Sequence, residues 1–196
     1  WRSACGRPTR VAQPAATTEA NPIENGLDVV LALLYAPGAT GREAEPIRGI
    51  TRLQKLLFLL WKEGAFYEDV PDLYKFRAYD FGPCMDDLYD DLDFAEDIGL
   101  LEVQEVPSGN EYEGGDEDAF LQDFGFRWVK RSTRRDFSLT ATGQEAARET
   151  YDALDENRRK RLDQIKRRFN SMPFFDLLRY VYKKYPAFAK KSVLFL

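Results

Sequence analysis

Seven acidic side chains lie within one short stretch of the chain, directly behind a Gly-Pro step. They are Asp86, Asp87, Asp90, Asp91, Asp93, Glu96 and Asp97. Carboxylates grouped in this way could hold a divalent cation, act as a general acid and base, or form the solvated face of a helix. Apolar residues recur among them at spacings of three and four, which favours an amphipathic helix with most acids on its other faces. These apolar residues are Met85, Leu88, Leu92 and Ala95.

A metal site is the sharpest interpretation of this stretch. Residues 86–90, DDLYD, match the DDxxD string with which prenyl-diphosphate enzymes hold Mg²⁺ against a diphosphate. The string alone is weak evidence, because those enzymes also need a large helical cavity and a second metal cluster. Neighbouring acids on an exposed helix usually keep pKa values near their ordinary range. The solvated face of a helix is therefore the favoured prediction.

The composition lacks residues on which many catalytic mechanisms depend. The chain contains no histidine, which removes Ser-His and Cys-His pairs and imidazole ligands, and its two cysteines are Cys5 and Cys84. Two distant cysteines form neither a disulfide framework nor a CxxC metal pair. We therefore expect no catalytic residue, no metal and no cofactor.

Length and charge bound the class of protein. The 196 residues, 44% of them hydrophobic and 31% charged, fit one folded domain plus a tail. A formal charge of −5 repels nucleic acid and anionic membrane on average, so such binding would need a local basic patch. The longest apolar run, residues 29–36, is far shorter than a membrane span. We expect a cytoplasmic protein.

A local basic patch is predicted at the tip of a hairpin over residues 126–139. Its members are Lys130, Arg131, Arg134 and Arg135. They are candidate nucleic-acid contacts, because such a hairpin can reach the DNA backbone beside a recognition helix. A charged turn that keeps the protein soluble is the alternative. The basic run at residues 158–168 lies opposite an apolar stripe and leaves the same two interpretations open.

The last helix mixes aromatic and basic residues, a composition suited to a protein partner or to stacking on bases. We expect Phe174, Leu177, Leu178 and Val181 in the core. The predicted partner interface consists of Asp86, Asp90, Tyr180, Tyr182 and Tyr185.

Helical periodicity also predicts the elements around these residues. A buried helix begins near Leu27, and a second covers residues 51–63 with Thr51 as its N-cap. Gly82 and Pro83 are expected to start the acidic helix. Thr142, three residues before Glu145, forms a capping-box pattern for a later helix.

The element order predicts an α+β, mainly helical fold: a winged helix-turn-helix-like core with a small β-hairpin wing and a C-terminal helical extension. We expect a disordered tail over residues 1–25, the core over 26–150, and helices packed on it over 151–196. The acidic helix takes the place of the recognition helix, where phosphate would repel it.

Four segments together resemble the bacterial YwgA-like proteins and, more loosely, the Panacea (SocA-like) antitoxin domain. They are RLQKLLFLL at 52–60, YDFGPCMDDLYDDL at 79–92, GLLE at 99–102 and FSLTATGQEAA at 137–147. The resemblance implies a compact domain with winged-helix features and, in the Panacea branch, an antitoxin that binds a toxin. The family-motif positions would be Leu53, Gln54, Lys55, Leu56, Gly82 and Pro83. Gln54 and Lys55 lie where their helix could hydrogen-bond the Gly-Pro loop.

The sequence thus favours a non-catalytic regulatory or antitoxin-like protein whose partner is a toxin or regulatory protein. A winged-helix transcriptional regulator that binds nucleic acid through the basic wing is the alternative. A metal-dependent enzyme using the acids near Asp86 is the third.

Overall fold

The computed structural model describes residues 22–64, 66, 75–107 and 133–194, and these ranges contain seven helices and five strands. The helices are α1 (Gly26–Tyr35), α2 (Ile50–Glu63), α3 (Asp87–Asp97), α4 (Ala141–Ala153), α5 (Glu156–Phe169), α6 (Phe174–Lys184) and α7 (Pro186–Ala189). The strands are β1 (Ile47–Arg48), β2 (Arg77–Tyr79), β3 (Gly82–Cys84), β4 (Leu101–Pro107) and β5 (Thr133–Leu139). The fold is mixed α+β and mostly helical, as the sequence predicts.

Helix α1 is the central element of the core. Its residues from Val29 to Tyr35 are all buried. Asn25 and Asp28 form a capping box, in which each side chain accepts a hydrogen bond from the other's backbone N–H. Ile23 before it is only 3% exposed. The last residues of the predicted tail therefore belong to the folded part, whereas residues 1–21 lie outside the described ranges.

Three strands form an antiparallel sheet in the order β1-β5-β4. Strand β5 is the middle strand, with Phe137 opposite Ile47 on one side and Val103 on the other. Arg134 and Arg135 lie inside this strand, paired with Val106 and Glu105. Their predicted place at a hairpin tip is wrong, because β5 pairs along its whole length with β4 and leaves no turn there.

Helix α2 begins at Ile50, with Gly49 as its N-cap and no side-chain cap. Gly49 has φ 88, a left-handed conformation that glycine adopts without strain. The prediction of Thr51 as the cap is wrong, since the strand β1 leads straight into the helix through that glycine. Leu53 and Leu56, two of the family-motif positions, are fully buried.

Gly82 and Pro83 do not start the acidic helix. They lie in β3, which pairs with β2 in a short hairpin, and α3 begins later, at Asp87. Gly82 has φ 88, and a Cβ at this position would lie 2.7 Å from Cε1 of Tyr182. The glycine therefore lets the hairpin pack closely against α6.

The C-terminal helices complete a single hydrophobic cluster with α1, α2, α3 and the larger sheet. The stripe predicted for α5 is buried, as are all four core residues predicted for α6. Helix α4 is capped by Thr140, whose Oγ1 accepts from the N–H of Gly143, and not by Thr142.

None of the helices within the described ranges is long and apolar enough to cross a membrane.

Candidate functional site

The acids of α3 lie on the solvent side of the helix, as the apolar spacing predicts. Leu88, Leu92 and Ala95 are buried, together with Met85 just before the helix. The acids are exposed apart from Asp91, which is half-buried. Within the described ranges, no group of three or more His, Cys, Asp or Glu side chains could hold a metal ion.

Four large hydrophobic side chains are exposed in the part of the chain that the structure describes, and all four belong to β2 or to α3 and its C-cap. They are Tyr79, Tyr89, Phe94 and Ile98, with 45%, 39%, 56% and 50% of their surface exposed. We call them the apolar quartet. The sequence analysis did not predict the quartet. Phe94 and Ile98 could have indicated it, because they are apolar residues that fall outside the predicted buried stripe of α3.

The quartet divides into two flanks around α3. Phe94 and Ile98 are about one turn apart and share one side of the helix, and the N–H of Ile98 donates to the carbonyl of Phe94 over 3.0 Å. Tyr89 lies about two and a half turns before Ile98, so it points to the opposite side. Asp90 and Asp97 project between the two flanks. The exposed side of α3 is therefore an acidic crest with an apolar flank on each side.

One arginine, Arg77, ties the first flank to the start of α3. Arg77 of β2 donates to Asp86 over 2.7 Å and lies against the ring of Tyr79, 4.9 Å from its centroid. Tyr89 is only partly exposed, and the partial burial of its side chain raises its pKa, as do the acidic groups near it. These contacts place Tyr79 beside the first turn of α3.

Two of the four basic residues predicted for nucleic-acid contact, Arg134 and Arg135, form ion pairs within the chain. Arg135 lies 2.9 Å from Asp93 and 3.7 Å from Glu96 of α3. Arg134 forms two hydrogen bonds with Asp136, of 2.7 and 2.8 Å. Lys130 and Arg131 lie outside the described residues. The acidic helix thus neutralises one of the charges that would attract phosphate.

Gln54 and Lys55 of α2 hydrogen-bond the chain at the Gly-Pro step and just after it, close to where the sequence predicts. Lys55 Nζ donates to the carbonyl of Pro83 over 3.0 Å, and Gln54 Nε2 donates to the carbonyl of Met85 over 3.3 Å. Both side chains are buried, Lys55 to 1% exposure. Buried backbone carbonyls need such donors, so these residues fix the chain that leads into α3.

The tyrosines predicted as a partner interface contact residues of the chain. Tyr182 is 7% exposed and hydrogen-bonds Ser192. Tyr185 donates to Glu63 of α2 over 2.9 Å, and Lys184 binds the same carboxylate. Burial and this carboxylate raise the pKa of Tyr185. Tyr180 and Tyr185 remain half-buried, whereas Tyr182 belongs to the interior.

A buried lysine that sequence reasoning missed lies at the end of α1. Lys166 of α5 is 0% exposed, and its Nζ donates to the carbonyl of Leu34 over 2.6 Å. Burial lowers its pKa to about 7, although Glu45 and Asp163 favour the charged form. In the sequence it is one cation of a basic run, so nothing marks it as internal.

A scan against protein-family models gives no match, and a search of the curated proteins gives none at a significant level. The resemblance to the YwgA-like and Panacea proteins therefore stays a prediction.

Proposed function

We propose that this chain is a non-catalytic regulatory or antitoxin-like protein that acts by binding another protein through α3 and β2. The apolar quartet carries the proposal. Scattered single hydrophobic residues are normal on a surface, but here all four that the described ranges leave exposed adjoin one helix. Tyrosine is also enriched among the residues that dominate binding energy at protein interfaces.

We infer that the core is of winged-helix type. The order α1, β1, α2, α3, β4, β5 and the sheet order β1-β5-β4 support this inference. In such a core the short hairpin β2-β3 is an insertion before α3. The element that reads DNA in other winged-helix proteins would here present carboxylates, which favours a protein partner over nucleic acid.

Quantitative affinity purification tests the proposed function. The tagged chain is expressed in a host with its neighbouring genes intact, beside the double variant Phe94→Ser, Ile98→Ser and the control Gln164→Ser on the exposed side of α5. We expect one protein to co-purify with the wild type and the control and to be depleted at least tenfold with the double variant. Recovery of no stable partner, or equal recovery with all three proteins, contradicts the proposal.

A nucleic-acid-binding regulator is the second candidate, and the element and strand orders are what favour it. It requires salt-sensitive binding that weakens when Lys130, Arg131, Arg134 and Arg135 become alanine. Fluorescence titration of labelled DNA and RNA duplexes at low salt tests it. Flat titrations with the wild type remove this candidate.

A further inference from the structure

We propose that the partner receives α3 in a concave cleft with a basic floor and apolar walls. This inference rests on the proposed function and specifies the chemistry of the partner. The acidic crest would face Lys and Arg side chains at the bottom of the cleft. Tyr79 and Tyr89 would contact one wall, and Phe94 and Ile98 the other.

The concave shape follows from the position of the quartet around the helix. Tyr89 and Ile98 are exposed by 39% and 50% and project from opposite sides of α3. A flat surface, or one helix packed along α3, can cover a single side. Only a partner that reaches around the crest covers both flanks and removes their apolar surface from water.

The basic floor follows from the charge between the flanks. Asp90 and Asp97 form no salt bridge with the residues that the structure describes, and α3 itself contains no basic residue. Moving a carboxylate out of water is strongly unfavourable unless a cation or a hydrogen-bond donor replaces the water. A partner that covers the crest must therefore supply cations opposite it.

A second copy of this chain fits the crest poorly. Its basic residues on α5 and near the end of α6 would match the charge, but no large hydrophobic residue is exposed on either helix. Such a contact would leave the apolar side chains on both flanks of α3 exposed to water. Nucleic acid is excluded as the occupant because its phosphates would meet the carboxylates.

Site-specific photo-crosslinking tests whether the partner surrounds α3 on both flanks. Benzoylphenylalanine replaces Tyr89 on one flank, Phe94 on the other, or Gln164 of α5 as the control, in cells that hold the neighbouring genes. We expect positions 89 and 94 to crosslink to the same polypeptide, at two separate segments that flank Lys- or Arg-rich sequence, and position 164 to give no such product. Crosslinks from one flank only, or to a segment without basic residues, overturn the inference.

The outcomes also separate this inference from the proposed function. A partner that co-purifies but crosslinks from only one flank leaves protein binding through α3 intact and overturns the cleft. A crosslinked dimer of the chain itself would also overturn the cleft.

The charge of the floor is tested once the partner is identified. Asp90→Asn, Asp97→Asn should weaken binding of that partner at least tenfold at low salt and much less at high salt. Asp152→Asn on α4 is the matched control, and equal weakening by the control contradicts a basic floor.

Discussion

Lys166 has a titratable amine in the interior, and this amine couples the stability of the fold to pH. Its amine is held at the C-terminal end of α1, where the carbonyl of Leu34 and the helix dipole favour positive charge. The carboxylates of Glu45 and Asp163 lie near enough to favour its charged form, and Asp163 accepts a hydrogen bond from the hydroxyl of Tyr151. Burial nevertheless outweighs these groups and lowers the pKa of Lys166 to about 7 from 10.5.

The first prediction is that stability rises between pH 7 and pH 9. In this range the unfolded chain holds the Lys166 proton while the folded protein releases it, so the free energy of unfolding increases with pH. The increase should be about 1 to 2 kcal/mol and should vanish in Lys166→Met. Urea denaturation at several pH values measures both. The raised pKa of Tyr35, about 12, has its effect only above this range. Parallel curves for wild type and variant contradict the prediction.

The second prediction concerns Lys55. Replacement by methionine keeps much of the buried stem but leaves the carbonyl of Pro83 without its amine donor. We expect a loss of about 1 to 3 kcal/mol in the free energy of unfolding. Faster amide exchange in residues 77–84 should accompany it. Lys183→Met, at an exposed position of α6, is the control and should change neither measurement.

At the scale of elements, the sequence predicts correctly which face of a helix is buried, but it predicts poorly the residue at which a helix begins. The stripes of α3, α5 and α6 follow from apolar spacing alone, because burial of one face is a local property of a helix. The starts of α2, α3 and α4 depend on tertiary contacts. Gly143, for example, must be glycine because a Cβ there would lie 1.9 Å from the carbonyl oxygen of Leu100. No local pattern reports such a contact.

The third prediction tests the corrected cap of α4. Thr140→Ala removes the bond to the N–H of Gly143 and a second bond, of 2.7 Å, to the carbonyl of Gly99. It should cost about 1 to 2 kcal/mol. Thr142→Ala changes an exposed residue inside the helix and should cost less than about 0.5 kcal/mol. Thermal or urea unfolding of both variants decides between the two caps.

At the scale of the whole molecule, the candidate site was only half predictable. The solvated acids of α3 could be read from spacing, and the structural role of Gln54 and Lys55 is expected at positions that the family resemblance singles out. The quartet could not, because Tyr79 lies beside α3 only when the β2-β3 hairpin has formed and Arg77 pairs with Asp86. The engagement of Arg135 with Asp93 likewise joins residues from distant parts of the chain.

The fourth prediction separates binding from stability. The quartet is exposed, so Phe94→Ser, Ile98→Ser should change the free energy of unfolding by less than about 0.5 kcal/mol. Leu88→Ser and Leu92→Ser, on the buried side of α3, should each cost more than about 2 kcal/mol. Urea denaturation of the three variants measures this. A large loss of unfolding free energy in the first variant would mean that Phe94 and Ile98 stabilise the hydrophobic core.

The middle position of β5 in its sheet also sets the order in which the protein can fold. The N–H of Gly49 donates to Asp136, 87 residues further along the chain, and Ile47 of β1 pairs with Phe137 of β5. Until the ribosome has released β5, β1 lacks the strand with which it pairs in the described part of the chain, and the apolar sides of α1 and α2 lack their sheet. Such long-range closure is slow and leaves hydrophobic surface exposed to chaperones or to aggregation. Synthesis halted before β5 should therefore yield an insoluble fragment.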